Sequence, residues 1–453
     1  MSILVLRPLS SAPSSPRAGL RSPALPQARS SSAAVLRRMA VLVTLVVAIL
    51  GGAGACGDAT IQSLGIPSPA LAVLSSDYDA TTSLSLFDPA GGRLVDGCLT
   101  SATTSATLKH PLSGNVMLPT QAQSGGELVL IDSKSATLTF ATPATCAARG
   151  QVSVSTGGFK SNPHDVVTLS ATKAYVTRYE TNLTPTPDAG DFDEGDDLLI
   201  VNPRSLTVLG RIPLAAEATP GPAGEPTQAR PDRALLADGL VYVSLSSMNS
   251  AFTATGAGRV VIVDPAADTV VGHIDLPGTR NCSGLTYAAA TKHLYVACGG
   301  AYGDPAVQVA ESGLIEVDVS GVAPVVGRVL PASALGTDPL NFFYAAVSAA
   351  GDTAFAGTLG AYPDPTSGTP GTSDAFYFAP LGGAAPTKLA EGAAGDLGGA
   401  VIDPATNRVF LPDASAGKPA VHVFDATTGA ALPAADFEPN PSGHLPPRTI
   451  GWY

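Results

Sequence analysis

Charge is scarce in this chain: Asp, Glu, Lys and Arg make up 14% of 453 residues, aromatics 6%, and Trp occurs once. With 45% hydrophobic residues beside so few charges, disorder throughout is excluded. Glycines show no three-residue period, which excludes collagen. Zinc knuckles and c-type haem are excluded by the lack of Cys-x-x-Cys and Cys-x-x-Cys-His. Neither Gly-x-Ser-x-Gly, His-Glu-x-x-His nor a phosphate-binding Gly loop occurs, so the common hydrolase, metalloprotease and nucleotide signatures are missing. His110, His273, His293, His422 and His444 are scattered without ligand spacing.

Acidic residues are absent through Cys56, where six Arg occur. Residues 1–38 are rich in Ser, Pro, Ala and Arg and show no apolar periodicity. Arg37-Arg38 then precede an apolar run over 39–50, and Gly51-Gly52-Ala53-Gly54-Ala55 leads into Cys56. This order is that of an export signal. The apolar run is too short for a comfortable span, which needs about 20 residues. Ala53-Gly54-Ala55-Cys56 resembles a bacterial lipobox, with Ala53 where Leu is usual. That likeness implies signal cleavage, with residues 1–55 as leader, and lipidation of Cys56; secretion without lipid is the alternative. Two or three acyl chains, at about 0.8 kcal/mol per buried CH₂, make a durable anchor in the bilayer. Gly57, rather than Asp, after that Cys favours the outer over the inner membrane.

Of the 25 basic residues, only nineteen follow Cys56, against 37 acidic ones, giving that part a formal charge near −18. So acidic a surface repels nucleic acid and anionic headgroups. Four further cysteines fit an oxidising compartment. Cys282 and Cys298 flank the hairpin pattern Leu285-Thr286-Tyr287 and His293-Leu294-Tyr295-Val296. A turn centred on Ala290 sets them opposite each other, within bridging distance. Cys98 and Cys146 pair by elimination.

What the chain has in abundance is Gly and Pro, 48 and 39 residues, set between short apolar runs. A β-forming segment with an Asp-Pro-like end recurs seven times. Its copies are Leu84-Ser85-Leu86-Phe87-Asp88-Pro89, Leu128-Val129-Leu130-Ile131-Asp132, Leu198-Leu199-Ile200-Val201-Asn202-Pro203 and Val260-Val261-Ile262-Val263-Asp264-Pro265. Leu314-Ile315-Glu316-Val317-Asp318, Phe376-Tyr377-Phe378-Ala379-Pro380 and Val421-His422-Val423-Phe424-Asp425 complete the set. Asp-Pro is turn chemistry, since the acid accepts from amides ahead of it and Pro presets φ. Each copy therefore predicts the third strand of a unit, with a fourth after it and a hairpin before it. Four strands per repeat define a propeller blade. The fold expected is all-β: a seven-bladed β-propeller over 68–453, after a 56–67 linker. The first copy lacks a first strand, while the chain ends on an unpaired Pro447-Arg448-Thr449-Ile450-Gly451-Trp452-Tyr453. This tail is expected to close blade one as its innermost strand, burying Trp452 and removing an open edge.

Tyr175-Val176-Thr177-Arg178, Tyr242-Val243-Ser244 and Tyr295-Val296-Ala297, each preceding such a strand, resemble the Tyr-Val-Thr-Asn repeat propellers and their lactonase and amine-dehydrogenase relatives. The likeness spans roughly 68–453, although the motif's Asn is mostly replaced. A single Trp argues against Trp-Asp repeats and against a tryptophan-docked quinone.

A bare blade needs about 40–50 residues. The middle copies are farther apart, leaving insertions at 180–197, 246–258, 299–313 and 360–374, all on one face by the propeller pattern. Long loops on a rigid scaffold commonly carry binding, against plain decoration as the alternative. One of them holds Asp188, Asp191, Asp193, Glu194, Asp196 and Asp197, a composition that supplies hard oxygen ligands to Ca²⁺, though without EF-hand spacing; a solvated acidic loop is the other reading. No cofactor is otherwise required. His164, Asp165, Arg233, Asn281, Asn341 and Arg448 fall at the channel-facing starts of inner strands. There a His beside an Arg could activate water and stabilise an oxyanion, or the group could simply be solvated. The leading expectation is a membrane-anchored, non-catalytic scaffold that offers the loops of blades 3–6 to a protein, glycan or small ligand. The alternative is a propeller hydrolase or oxidoreductase working at the channel, and a convergent His, Arg and carboxylate group would favour it.

Overall fold

The computed structural model describes residues 69–453, apart from 124, 187–191, 365–367 and 418. The leader and Cys56 therefore lie outside the described residues, as do Asp188 and Asp191. Seven antiparallel sheets follow one another around a ring, six with four strands and one with three. From the innermost strand outward, blade 3 is Pro163–Ser170, Lys173–Thr181, Gly195–Asn202 and Thr207–Pro213. Blade 4 is Pro231–Ala237, Leu240–Leu245, Ala257–Asp264 and Thr269–Arg280. Blade 5 is Cys282–Ala288, His293–Gly299, Ser312–Asp318 and Val325–Pro331; blade 6 is Leu340–Val347, Thr353–Thr358, Asp374–Pro380 and Thr387–Gly392.

Ring closure is as the sequence implies. Pro447–Trp452 pairs antiparallel with Leu71–Ser76, which continues into Thr82–Phe87 and Arg93–Thr100, so the chain's two ends share blade 1. Trp452 is half-buried rather than buried: its ring packs edge-on to Phe410, 6.2 Å between centroids, and Nε1 donates to Ile402 O at 3.1 Å. Blade 7 has three regular strands, Val401–Asp403, Arg408–Asp413 and Ala420–Asp425. Its outer edge is completed only by isolated bridges, Val421 to Phe437 and Phe424 to Ala431.

One repeat is placed differently from the expectation. Leu128–Asp132 is the second strand of blade 2, between Val116–Met117 and Thr137–Thr142, with Ala147–Ser153 outermost. The local chemistry explains the misplacement. Asp88, Asn202 and Asp425 end third strands, and their side-chain oxygens accept from amides two to four residues ahead. Asp132 makes the same kind of turn, accepting from Ser135 N at 3.0 Å, but between strands two and three. Side-chain capping of a turn does not record which turn it caps.

Apolar residues collect in seven clusters, one in each seam between neighbouring blades. The seam between blades 3 and 4 buries Tyr175, Leu198, Leu214, Val241 and Val261 among others, each such side chain contributing roughly 1.5–3 kcal/mol. Both disulfides form. Cys282 and Cys298 face each other on the first two strands of blade 5, and Cys98–Cys146 ties the outer strand of blade 1 to a turn of blade 2.

Candidate functional site

Strand polarity puts every loop between second and third strands on the face where inner strands begin. In blades 3 to 6 these loops run over 182–194, 246–256, 300–311 and 359–373, 11 to 15 residues each, whereas the turns of the same blades on the opposite face have two to six.

Each loop is tied down by its own polar groups. In blade 3, Asp193 Oδ2 accepts from Thr186 N, Thr186 Oγ1 and Asn182 Nδ2. Gly195 returns the chain to the sheet at φ 68°, where a Cβ would meet Glu180 O at 2.1 Å. In blade 4, Asn249 Oδ1 accepts from Thr253 N and Ala254 N. Blade 5 folds a short helix, Pro305–Ala310, capped by the Asp304 carboxylate on the amides of Ala306 and Val307. In blade 6, Asp374 takes the amides of Gly360, Gly395 and Leu397. On these loops Leu183, Val307 and Tyr362 are exposed, at 68%, 49% and 57%.

The acidic loop of blade 3 is not a solvated acidic patch where it is described. Asp193, Asp196 and Asp197 are buried, and each serves a different partner. Asp197 forks onto Arg178, 2.7 and 2.5 Å, with both side chains fully buried, and Arg211 lies 3.6 Å away. Asp196 accepts from the amides of Ala229 and Arg230. That grip holds Arg230 at φ 49°, an uncommon conformation for a bulky residue. Its guanidinium lies between the rings of Tyr179 and Phe252, 4.9 and 4.6 Å from their centroids, and forms an ion pair with Glu180 at 3.0 Å. Asp196 thus ties blade 3 to the segment entering blade 4, while Asp193 and Asp197 hold blade 3 itself, and no cluster of three metal-ligating side chains occurs among the described residues.

Beneath these loops the inner strands do bring a His, an Arg and carboxylates together. His164 Nδ1 lies 2.9 Å from Asp232 Oδ1, and Arg233 Nη1 donates to His164 O at 2.8 Å. Arg233 Nε is 3.6 Å from Asp232. Asp165 accepts from the amides of Thr120, Val166 and Ala234, joining the inner strands of blades 2, 3 and 4. Burial pushes the Asp165 carboxyl above its ordinary range, against the charge of Arg233. For Asp232 burial acts the same way, but His164 and Arg233 outweigh it and hold the group low. Tyr179 stacks on the His164 ring at 4.2 Å. The His164 and Asp232 side chains are 4% and 1% exposed, and His164 Nε2 is buried without a partner.

The other expected channel residues divide. Asn281 begins the next inner strand, its amide near the Tyr302 hydroxyl, and Asn341 is buried at the start of blade 6. Arg448 belongs to a separate group across the channel, over the Tyr78 ring at 4.5 Å and bonded to Gly395 O. Asp232, Tyr179 and Arg230 were not foreseen. A signal existed for Asp232: Asn162-Pro163-His164-Asp165 and Arg230-Pro231-Asp232-Arg233 occupy equivalent positions in consecutive blades, each with positive φ before the Pro.

No family model matches the chain, and no curated protein matches it. Solved structures do. A "putative 6-phosphogluconolactonase" from Bacteroides fragilis is 11% identical over 85% of this chain and 98% of its own, with a TM-score of 0.52. A protein from Lactobacillus plantarum is 10% identical over 85% and 99%, at 0.51. A second "putative 6-phosphogluconolactonase", from Bacteroides uniformis, is 11% identical over 85% and 99%, at 0.50. At such identities the likeness is one of fold alone, and the class it defines is the seven-bladed β-propeller.

Proposed function

We propose that the chain is an exported lipoprotein, anchored through Cys56, whose propeller acts without turnover by presenting the loops of blades 3–6 to a protein partner. The observation that carries this reading is the asymmetry of the two faces. Four consecutive blades bear long, internally bonded loops on one face, with Leu183, Val307 and Tyr362 exposed on them. Exposed apolar side chains suit a protein surface; a glycan site would be expected to offer more than one exposed aromatic. Two disulfides agree with an oxidising compartment.

The test has two parts. Cys56→Ala should leave the protein unprocessed or released from membranes, with the acylated N-terminal mass lost. Combined Leu183→Asp, Val307→Asp and Tyr362→Ser should abolish co-purification of the envelope partner that the parent retains, without changing the fold by circular dichroism. Equal capture by parent and variant overturns the loop reading.

A hydrolase is the second reading, favoured by the His164, Asp232 and Arg233 convergence, in which a carboxylate orients a His whose second nitrogen is unengaged. Enclosure of the pair under Tyr179 speaks against it. Turnover of δ-lactones that disappears in His164→Gln would establish this reading instead.

A further inference from the structure

The loop face is electrically uneven. Its connecting segments in blades 3 to 6, residues 182–194, 214–230, 246–256, 300–311, 332–339 and 359–373, contain no Lys and no His, and their one Arg, Arg230, is buried. Carboxylates recur in the same segments. Glu194, Glu217 and Glu311 are matched by Arg211, Arg259 and Arg280 of the strands. Glu225, Asp304 and Asp338 have no ion pair among the described residues, and the first two are exposed. Half a ring away on the same face, the segments leading into blades 2 and 3 expose Lys109 and Lys160.

In blades 5 and 6 this unmatched charge coincides with exposed apolar side chains. Asp304 caps the helix Pro305–Ala310, and exposed Val307 stands in its first turn. The helix packs beside the turn Ala332–Ala334, which leads on to Asp338. Asp338 Oδ1 accepts from Thr372 Oγ1 at 3.0 Å, and that hydroxyl in turn accepts from the amide of Ala361, next to exposed Tyr362. Val307, Asp304, Asp338 and Tyr362 therefore lie along one connected path over two blades, with no basic side chain in the segments that carry them.

We propose that this patch on blades 5 and 6 receives a basic segment of the partner protein, whose Lys or Arg side chains meet Asp304 and Asp338 and whose apolar side chains meet Val307 and Tyr362. The proposal rests on the loop-face reading above and adds the chemistry of the occupant. Complementary charge across an interface speeds encounter and rejects partners of the wrong sign. An acidic segment would find no countercharge here that is not already paired. A second copy of the chain would offer its Lys109 and Lys160, but it also brings the charge near −18 carried after Cys56, which opposes self-association.

The full-length protein would be titrated at physiological ionic strength with a short fluorescent Lys/Leu peptide and with its Glu/Leu counterpart, read by anisotropy. The proposal requires saturable binding of the Lys/Leu peptide, about tenfold or more tighter than that of the Glu/Leu peptide. Asp304→Ser keeps a capping oxygen for the helix and Asp338→Asn keeps an acceptor for Thr372, so together they remove charge without unmaking the loops. This pair should weaken the Lys/Leu peptide about fivefold. Asp238→Asn with Asp352→Asn, in exposed turns of the opposite face, should leave it unchanged. Equal weakening by both pairs, no weakening by the first, or Glu/Leu binding as tightly as Lys/Leu would each overturn the proposal. So would a concentration-dependent dimer dispersed by Lys109→Glu with Lys160→Glu, which would seat a second copy on the patch. The loop-face reading fails separately: envelope capture kept by the neutralised pair but lost by the Leu183, Val307 and Tyr362 variant sinks the basic occupant alone.

Discussion

Two seams of the ring hold together by different means. Between blades 3 and 4, beneath the loops, charged and polar side chains do much of the fastening: Asp196 on the amides of Ala229 and Arg230, Arg230 between Tyr179 and Phe252, His164 with Asp232, backed within blade 3 by the buried fork of Asp197 on Arg178. Between blades 7 and 1, where the chain's end returns, packing is apolar and aromatic. Phe87, Phe410, Phe437 and Trp452 meet there, and the outermost segment of blade 7 is held by His422 between Asp413 and Asp436. Charges are costly to bury unless fully paired, so the first seam tolerates no loss of a partner, while the second loses stability in proportion to what is removed. The seam carrying the loops has its geometry fixed by directional bonds; the closing seam needs only to shut.

The largest effect should come from breaking the buried ion pair of blade 3 that backs the first seam. Asp197→Ala leaves Arg178 buried and unpaired and is expected to cost about 3–5 kcal/mol in urea unfolding. A loss under about 1 kcal/mol would mean that the fork contributes little. At the closing seam Trp452→Ala removes half-buried packing against Phe410 and should cost roughly 2–3 kcal/mol, without the disproportionate loss of an orphaned charge.

A smaller, pH-dependent effect belongs to His422. Hydrogen bonding to Asp413 raises its pKa to about 9, against burial, with Asp436 adding to the shift. Because the folded value lies above the ordinary 6.5, the contribution is complete below about pH 6.5 and is lost as pH rises through about 9. Melting curves should show the parent losing about 1–2 kcal/mol relative to His422→Gln between pH 7 and 10, the partly solvated ring reducing the full effect. Parallel pH profiles would remove His422 from the account. Smallest of all, Leu183→Ser and Val307→Ser should change stability by less than about 0.5 kcal/mol while weakening partner capture, because neither side chain is buried.

The ring was legible in the sequence because blades repeat: alternating apolar strands ending in Asp or Asn turns recur often enough to count, and the unpaired tail at Pro447–Trp452 matched the strand missing before Leu71. Cys282 and Cys298 were readable because hairpin register places them opposite each other. Long-range pairing was not readable. Six carboxylates in ten residues suggested a ligand for cations or a wet loop, whereas Asp197 is fully buried against Arg178 nineteen residues earlier, and Asp196 grips amides more than thirty residues later. His164 and Arg233 were singled out as polar residues at strand starts, but Asp232, which joins them, passed unnoticed beside Arg233.

The most direct test of the central claim is site-specific photo-crosslinking in intact cells, with the photoreactive residue at Val307 on the loop face or at Ala290 in an exposed turn of the opposite face. A discrete crosslinked protein band from Val307, absent from Ala290, is the predicted result. Bands of equal strength from both positions, or a partner joined only through Ala290, would contradict the assignment of recognition to the loops of blades 3–6.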